Sequence, residues 1–204
     1  MLLIFEPVGT WEGIHRARRG MGFILTAYLL PLLLLVSAAA GYGLVHWGKW
    51  LNDVGRLRRF SVAEAVVVEA AQFLVSLCVI FVGAKLLKSL GETFHGRHTY
   101  HQAFTAVAYG LSPLFLLRLL DMAPGISPWV GWSIGIILSA AVLYHGVPRM
   151  MEPDPSHAFG LYLMSTLLLV LVTALARFMM AAYLQGKFPK LQTFISDLAA
   201  QLPF

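Results

Sequence analysis

Apolar residues fall along this chain in five long runs separated by short polar stretches, without the polar and apolar alternation of barrel strands. Residues 20 to 48, 98 to 117, 122 to 148 and 155 to 176 contain no Asp, Glu, Lys or Arg, and a helix crosses a bilayer with about 20 mostly apolar residues. The second run is less clean. Between Ser61 and Leu87 it carries Glu64 and Glu69 near one end and Lys85 at the other, leaving residues 70 to 84 uncharged. Backbone polar groups cannot be left unpaired in hydrocarbon, so all five runs predict helices. The expected fold class is all-α: an integral membrane bundle of five transmembrane helices with interfacial amphipathic segments. One domain spans residues 1–204, with an interfacial segment 1–20, helices near 21–45, 62–87, 101–120, 129–147 and 158–184, and a weakly amphipathic tail, 185–204.

The connections refine this picture. Leu2, Leu3, Ile4, Phe5, Trp11 and Ile14 precede Arg16, Arg18 and Arg19, a pattern that lays apolar side chains at the headgroup boundary and arginines toward anionic lipid. Ala38, Ala39 and Ala40 imitate a signal-peptide cleavage site, but the apolar run from Met21 is longer than a signal sequence uses, so an uncleaved first helix is expected, kinked at Pro31. Between His46 and Ala63, the residues Trp47, Trp50, Leu51, Val54, Leu57 and Phe60 recur at near-helical spacing and predict a short interfacial helix. Residues 121–128 and 148–155 are short and punctuated by proline, which makes the third, fourth and fifth helices successive antiparallel neighbours.

Composition agrees with a membrane protein: 58% of the 204 residues are hydrophobic and 12% charged, against about 25% charged in a soluble domain, and the mean hydropathy is +0.74. With so little soluble surface, the net charge of +5 points to anionic lipid headgroups and not to nucleic acid. Orientation is not legible from charge. Arg16, Arg18, Arg19, Lys85, Lys88, Arg97 and Arg149 fall on one side; Lys49, Arg56, Arg58, Arg59, Arg118, Arg177, Lys187 and Lys190 fall on the other. Cys78, the one cysteine, lies inside the second run and acts as a small hydrophobe.

Candidate chemistry is sparse. His95, His98 and His101, with His15 on the same side, suggest a metal site. The first and third histidines do not share a helical face, however, and only Glu92 lies near, so no metal is expected. Gly41 and Gly43 belong to a helix end and no hydrolase, zincin or nucleotide-binding motif occurs, so no catalytic residue or cofactor is assigned and the chain reads as a non-enzyme. Polar residues inside the spans are the stronger signal. Glu69 shares a helical face with Gln72, Ser76 and Gly83; Arg177 shares one with Tyr162, Thr166, Thr173 and Ala181. In five antiparallel spans Glu69 lies about 8 Å, and Arg177 about 12 Å, from the same membrane face, which predicts an ion pair between them with Arg118 as the rival partner. Gly131, Gly135 and Ser139 form a seam for close helix contact, within the bundle or with another subunit.

Further motifs carry a resemblance that runs across nearly the whole chain. Trp11 to Arg19 leads into a first helix containing Tyr28-Leu29-Leu30-Pro31-Leu32. A central stretch from Gly96 to Pro113 includes Gln102, Tyr109 and Pro113, and Tyr144-x-Gly146-x-Pro148 closes the fourth helix. In order and spacing these resemble bacterial members of the Yip family, the Ypt/Rab-interacting proteins. The resemblance implies five membrane helices, an N-terminus in the cytoplasm and a C-terminus outside it, in a bacterial inner membrane. Eukaryotic members bind prenylated small GTPases and take part in vesicle traffic, but their Asp-Leu-Tyr-Gly-Pro motif is absent here, which argues against GTPase binding. Two functions follow as expectations. The first is a membrane scaffold or accessory subunit that organises lipid, partner proteins or further copies of itself; the second is a small-solute or proton-coupled transporter.

Overall fold

The computed structural model describes residues 5–51, 56–94, 98–184 and 187–201. Five helices are long and apolar enough to cross a membrane: Met21–His46, Val62–Thr93, Tyr100–Met122, Trp129–Met151 and Ala158–Tyr183. We name the elements α1 (Pro7–Ala17), α2 (21–46), β1 (Lys49–Leu51), β2 (Arg56–Arg58), α3 (Val62–Thr93), α4 (Tyr100–Gly110), α5 (Ser112–Leu117), α6 (Pro128–Met151), α7 (Ala158–Leu184) and α8 (Pro189–Ala200). The third span consists of α4, α5 and a 3-10 turn, Arg118–Met122. It is the centre of the bundle: 72% of its most apolar window is buried inside the protein, against 22% for the fifth span, whose apolar surface faces outward.

Local chemistry sets the helix starts. Ser61 Oγ accepts a hydrogen bond from the Glu64 amide at 3.1 Å and the Glu64 carboxylate accepts one from the Ser61 amide at 3.0 Å, a reciprocal cap that begins α3. Thr99 and Gln102 repeat the arrangement before α4. In the first span the backbone is π-helical over Ile24–Leu29, so the wider i to i+5 turn lies directly ahead of Pro31, which has no amide hydrogen to donate.

The seam on α6 faces inward. A Cβ at Gly135 would come within 2.9 Å of Leu114 Cα, and one at Gly131 within 3.1 Å of the Leu117 carbonyl oxygen, so both glycines let α6 lie against the backbone of α5. Ser139 is fully buried, and its Oγ accepts a hydrogen bond from the Leu114 amide at 3.3 Å. That amide follows the break at Leu111 to Pro113, so the fourth span supplies the partner that a broken third span needs. Ser139→Ala should cost about 1–3 kcal/mol in a reversible unfolding titration in bilayers or detergent, the penalty of an orphaned buried donor. A loss below about 0.5 kcal/mol would show that the hydrogen bond contributes nothing.

One expectation is corrected. The stretch expected to form an interfacial helix between His46 and Ala63 is instead an antiparallel hairpin, Lys49 opposite Arg58, Trp50 opposite Leu57 and Leu51 opposite Arg56. Arg-Leu-Arg alternates with the period of two that a strand requires but Lys-Trp-Leu does not, so the pairing of the two segments, and not a pattern in either, makes the hairpin. The hairpin's connecting residues, 52–55, lie outside the described residues. At the same end of the bundle α8 packs Ile195 against Leu44, Phe60, Val68 and Tyr183, and Gln192 Nε2 donates to the Tyr183 carbonyl oxygen at 3.1 Å.

Candidate functional site

Five charged side chains gather at the hairpin end of the bundle, drawn from the second, third and fifth spans and from the hairpin itself. Glu69 lies two turns into α3, Arg118 and Asp121 sit on the 3-10 turn that ends the third span, Arg177 is near the end of α7, and Lys49 opens β1. Arg118 Nη2 donates to Glu69 Oε2 at 3.2 Å, and its Nη1 donates to Ser76 Oγ at 3.2 Å. Arg177 binds Asp121 through both ends of its guanidinium, Nη1 to Oδ2 at 2.8 Å and Nη2 to Oδ1 at 2.7 Å. Lys49 Nζ approaches the Asp121 carbonyl oxygen at 3.5 Å. Burial pushes the Lys49 ammonium pKa below its ordinary value, with the Asp121 carboxylate opposing the shift.

The ion pair expected between Glu69 and Arg177 is therefore replaced by two others. The rival, Arg118, takes Glu69, and Arg177 takes a residue that the sequence had placed in a loop. The cause is the 3-10 turn after Leu117, which continues the third span through Asp121 and leaves both of its carboxylate oxygens bound to Arg177 of α7. A bidentate guanidinium–carboxylate contact is stronger than the single contact left to Glu69.

Gln72, Ser76, Arg118, Trp132, Thr173 and Arg177 line a cavity of about 50 Å³ beside the cluster. Gln72 Oε1, Arg118 Nε and Trp132 Nε1 are buried there without hydrogen-bond partners among the described residues. A cavity of this size and polarity suits a few water molecules or a group of similar size.

The residues that carried the family resemblance meet at the other end of the bundle. Trp11, on α1, is fully buried, and its Nε1 donates to the Val142 carbonyl oxygen at 3.0 Å. Its indole lies against Gly146, where any Cβ would overlap the ring, and edge-on to Tyr109 at 6.4 Å between centroids. Tyr109 in turn packs on Tyr28, whose hydroxyl bonds to that of Ser112. Of the other motif positions, Gln102 completes the cap of α4, Pro113 starts α5, Tyr144 is half-exposed against Tyr162, and Pro148 lies within the last turn of α6. Gly96 lies outside the described residues.

The two described histidines of the run, His98 and His101, bind different backbone carbonyls. His98 Nε2 bonds to the Lys88 carbonyl oxygen at 3.0 Å, His101 Nε2 to that of Arg19 at 2.7 Å, and His95 lies outside the described residues. Among the described residues no three His, Cys, Asp or Glu side chains gather as a metal site.

No curated protein and no solved structure matches the chain. A family model described as the Yip1 domain matches residues 1–189, which takes in α1, all five spans and the junction with α8. An integral membrane bundle of five spans, matched by the family model along nearly its full length, belongs to the Yip1 domain family.

Proposed function

We propose that this Yip1 family protein is a non-enzymatic scaffold or accessory subunit of a bacterial cytoplasmic membrane, organising lipid or partner proteins within the bilayer. The observation that carries this reading is the pairing of charge. Glu69 and Asp121 each engage an arginine from a different segment, so the ionisable groups inside the spans act as fasteners between helices. Between the first and second spans an apolar groove of about 600 Å³, lined by Leu34, Ala38, Tyr42, Val66 and Phe73 among others, opens sideways and offers lipid or a partner helix a place to lie. Charge supports an N-terminus in the cytoplasm once the interhelical pairs are set aside. Without Arg118, Arg177 and the partly buried Lys49, five basic residues remain on the hairpin side against seven on the side of α1.

Transport of a small solute coupled to protons is the second reading, favoured by the polar cavity beside Arg118 and its three unpartnered atoms. Reconstitution separates the two. Purified protein in proteoliposomes under a proton gradient should show no uptake that Glu69→Gln abolishes, and mild-detergent extraction should retain a stoichiometric lipid or protein companion. Proton-dependent uptake lost in Glu69→Gln would overturn the scaffold.

A further inference from the structure

At the end of the bundle opposite the charge cluster, α1, the start of the first span, α4 and the end of α6 enclose a cavity of about 450 Å³. That volume falls within the range of about 300–1,000 Å³ typical of ligand sites. Its lining is mixed: Ile14, Ile24 and Met150 are apolar, Thr105 and Tyr109 form a buried polar floor, and His15, Arg18, Arg19 and His101 supply the rim.

The rim is built, not merely basic. Trp11 fastens α1 to α6, and the ring of His101 binds the carbonyl oxygen of Arg19, so the segment bearing both arginines is tied to the bundle at two points. Arg18 has left-handed backbone torsions, φ 41°, where it ends α1, and Glu152 has φ 45° where it ends α6; both line the cavity. Such conformations are uncommon for residues other than glycine and cost free energy that the surrounding contacts must offset. Arg16, two residues before Arg18, is held by Glu12 at 3.1 Å and does not line the cavity. Arg18 and Arg19 have no carboxylate partner among the described residues; Arg19 lies over the Phe23 ring at 5.0 Å. The acid present, Glu152, is 4.0 Å from His15.

We propose that this cavity is a binding site for the phosphate group of an anionic phospholipid, with Arg18 and Arg19 as the charged contacts, the Thr105 and Tyr109 floor toward the headgroup, and Ile24 and Met150 beside the start of the acyl chains. A basic pocket between helices at the membrane surface is the arrangement that recognises such headgroups, because its charge adds to the burial of the lipid's apolar part. The site is separate from the charge cluster and is compatible with a protein that organises partners and with one that carries a solute.

The test is thermal unfolding of the purified full chain in nonionic detergent, titrated with phosphatidylglycerol, phosphatidylcholine or glycerol 3-phosphate. Phosphatidylglycerol should raise the Tm saturably and phosphatidylcholine should not. Arg18→Asn, chosen because asparagine tolerates the left-handed region, and Arg19→Gln should each weaken the apparent affinity roughly fivefold, and the double variant about twenty-five-fold. Arg16→Gln, equal in charge change but outside the cavity, should leave the affinity as it is. Equal weakening by all three variants would reduce the effect to diffuse surface attraction and overturn the proposal. A full shift from glycerol 3-phosphate alone, at the lipid's own concentration, would overturn it in favour of a soluble phosphate ligand. If the double variant loses stability, native mass spectrometry of the wild type after delipidation decides: one retained phosphatidylglycerol per chain supports the site, and none rejects it.

Discussion

Arg118→Gln is expected to destabilise the bundle by about 3–5 kcal/mol, because it leaves the Glu69 carboxylate buried without its cation and removes the donor that holds Ser76. Glu69→Gln should cost less, since Arg118 keeps Ser76 and its surroundings include Asp121. A double-mutant cycle on Glu69 and Arg118 should show a coupling of about 0.5–3 kcal/mol, whereas a cycle on Glu69 and Arg177 should show a clearly smaller one. Asp121 and Arg177, in bidentate contact, should couple at least as strongly as Glu69 and Arg118. Replacing both Glu69 and Arg118 with methionine should recover most of the loss, because the attraction within a buried pair is largely offset by the cost of taking both charges out of water. Steric trapping in bilayers, or a denaturation titration in mixed detergent, measures all of these. Equal coupling in the two cycles would mean that the cluster responds as a diffuse field and that the pairs have no identity.

Depth was legible in the sequence and partnership was not. Counting residues from the ends of the runs placed Glu69 and Arg177 at matching heights, and both do line one small cavity with Arg118 and Asp121. Rotation about the helix axes, which decides who touches whom, depends on how the third span ends. Nothing in Arg-Leu-Leu-Asp-Met announces a 3-10 turn, and a Pro-Gly-rich stretch just beyond invites the reading that Asp121 is already in the loop. The three-residue spacing of Arg118 and Asp121 was the available signal, because residues so spaced on a tight turn project to the same side. The hairpin was missed for a related reason: three-residue strands carry too few positions for period two to be told from period three. By contrast, the five spans follow from length and hydropathy alone, since in hydrocarbon no alternative to a helix satisfies the backbone. The inward direction of the Gly131, Gly135 and Ser139 seam needed the structure, because small residues pack as well against another subunit as against a neighbouring span.

The contact between Trp11 and Gly146 carries the largest expected effect outside the charge cluster. Gly146→Leu places a branched side chain where the indole of Trp11, fully buried and edge-on to Tyr109, now sits. A fully buried tryptophan contributes about 3–5 kcal/mol by the cost of truncating it, so its ejection should release α1 from the bundle while the five spans stay assembled. Even Gly146→Ala should loosen it, because a single Cβ already overlaps the ring. Hydrogen exchange over residues 7–17 reads the result directly: those amides should lose protection in Gly146→Leu while amides in α4 and α6 keep theirs. Trp11→Ala should expose the same segment, and adding Gly146→Leu to it should cost much less than it does alone, since the leucine then fills the space the indole vacated. The effect should also reach the cavity beneath Arg18 and Arg19, whose position depends on α1 staying docked. Unchanged exchange over residues 7–17 in Gly146→Leu would mean that α1 is held to the bundle by its other contacts and that the seating of Trp11 on Gly146 does not dock it.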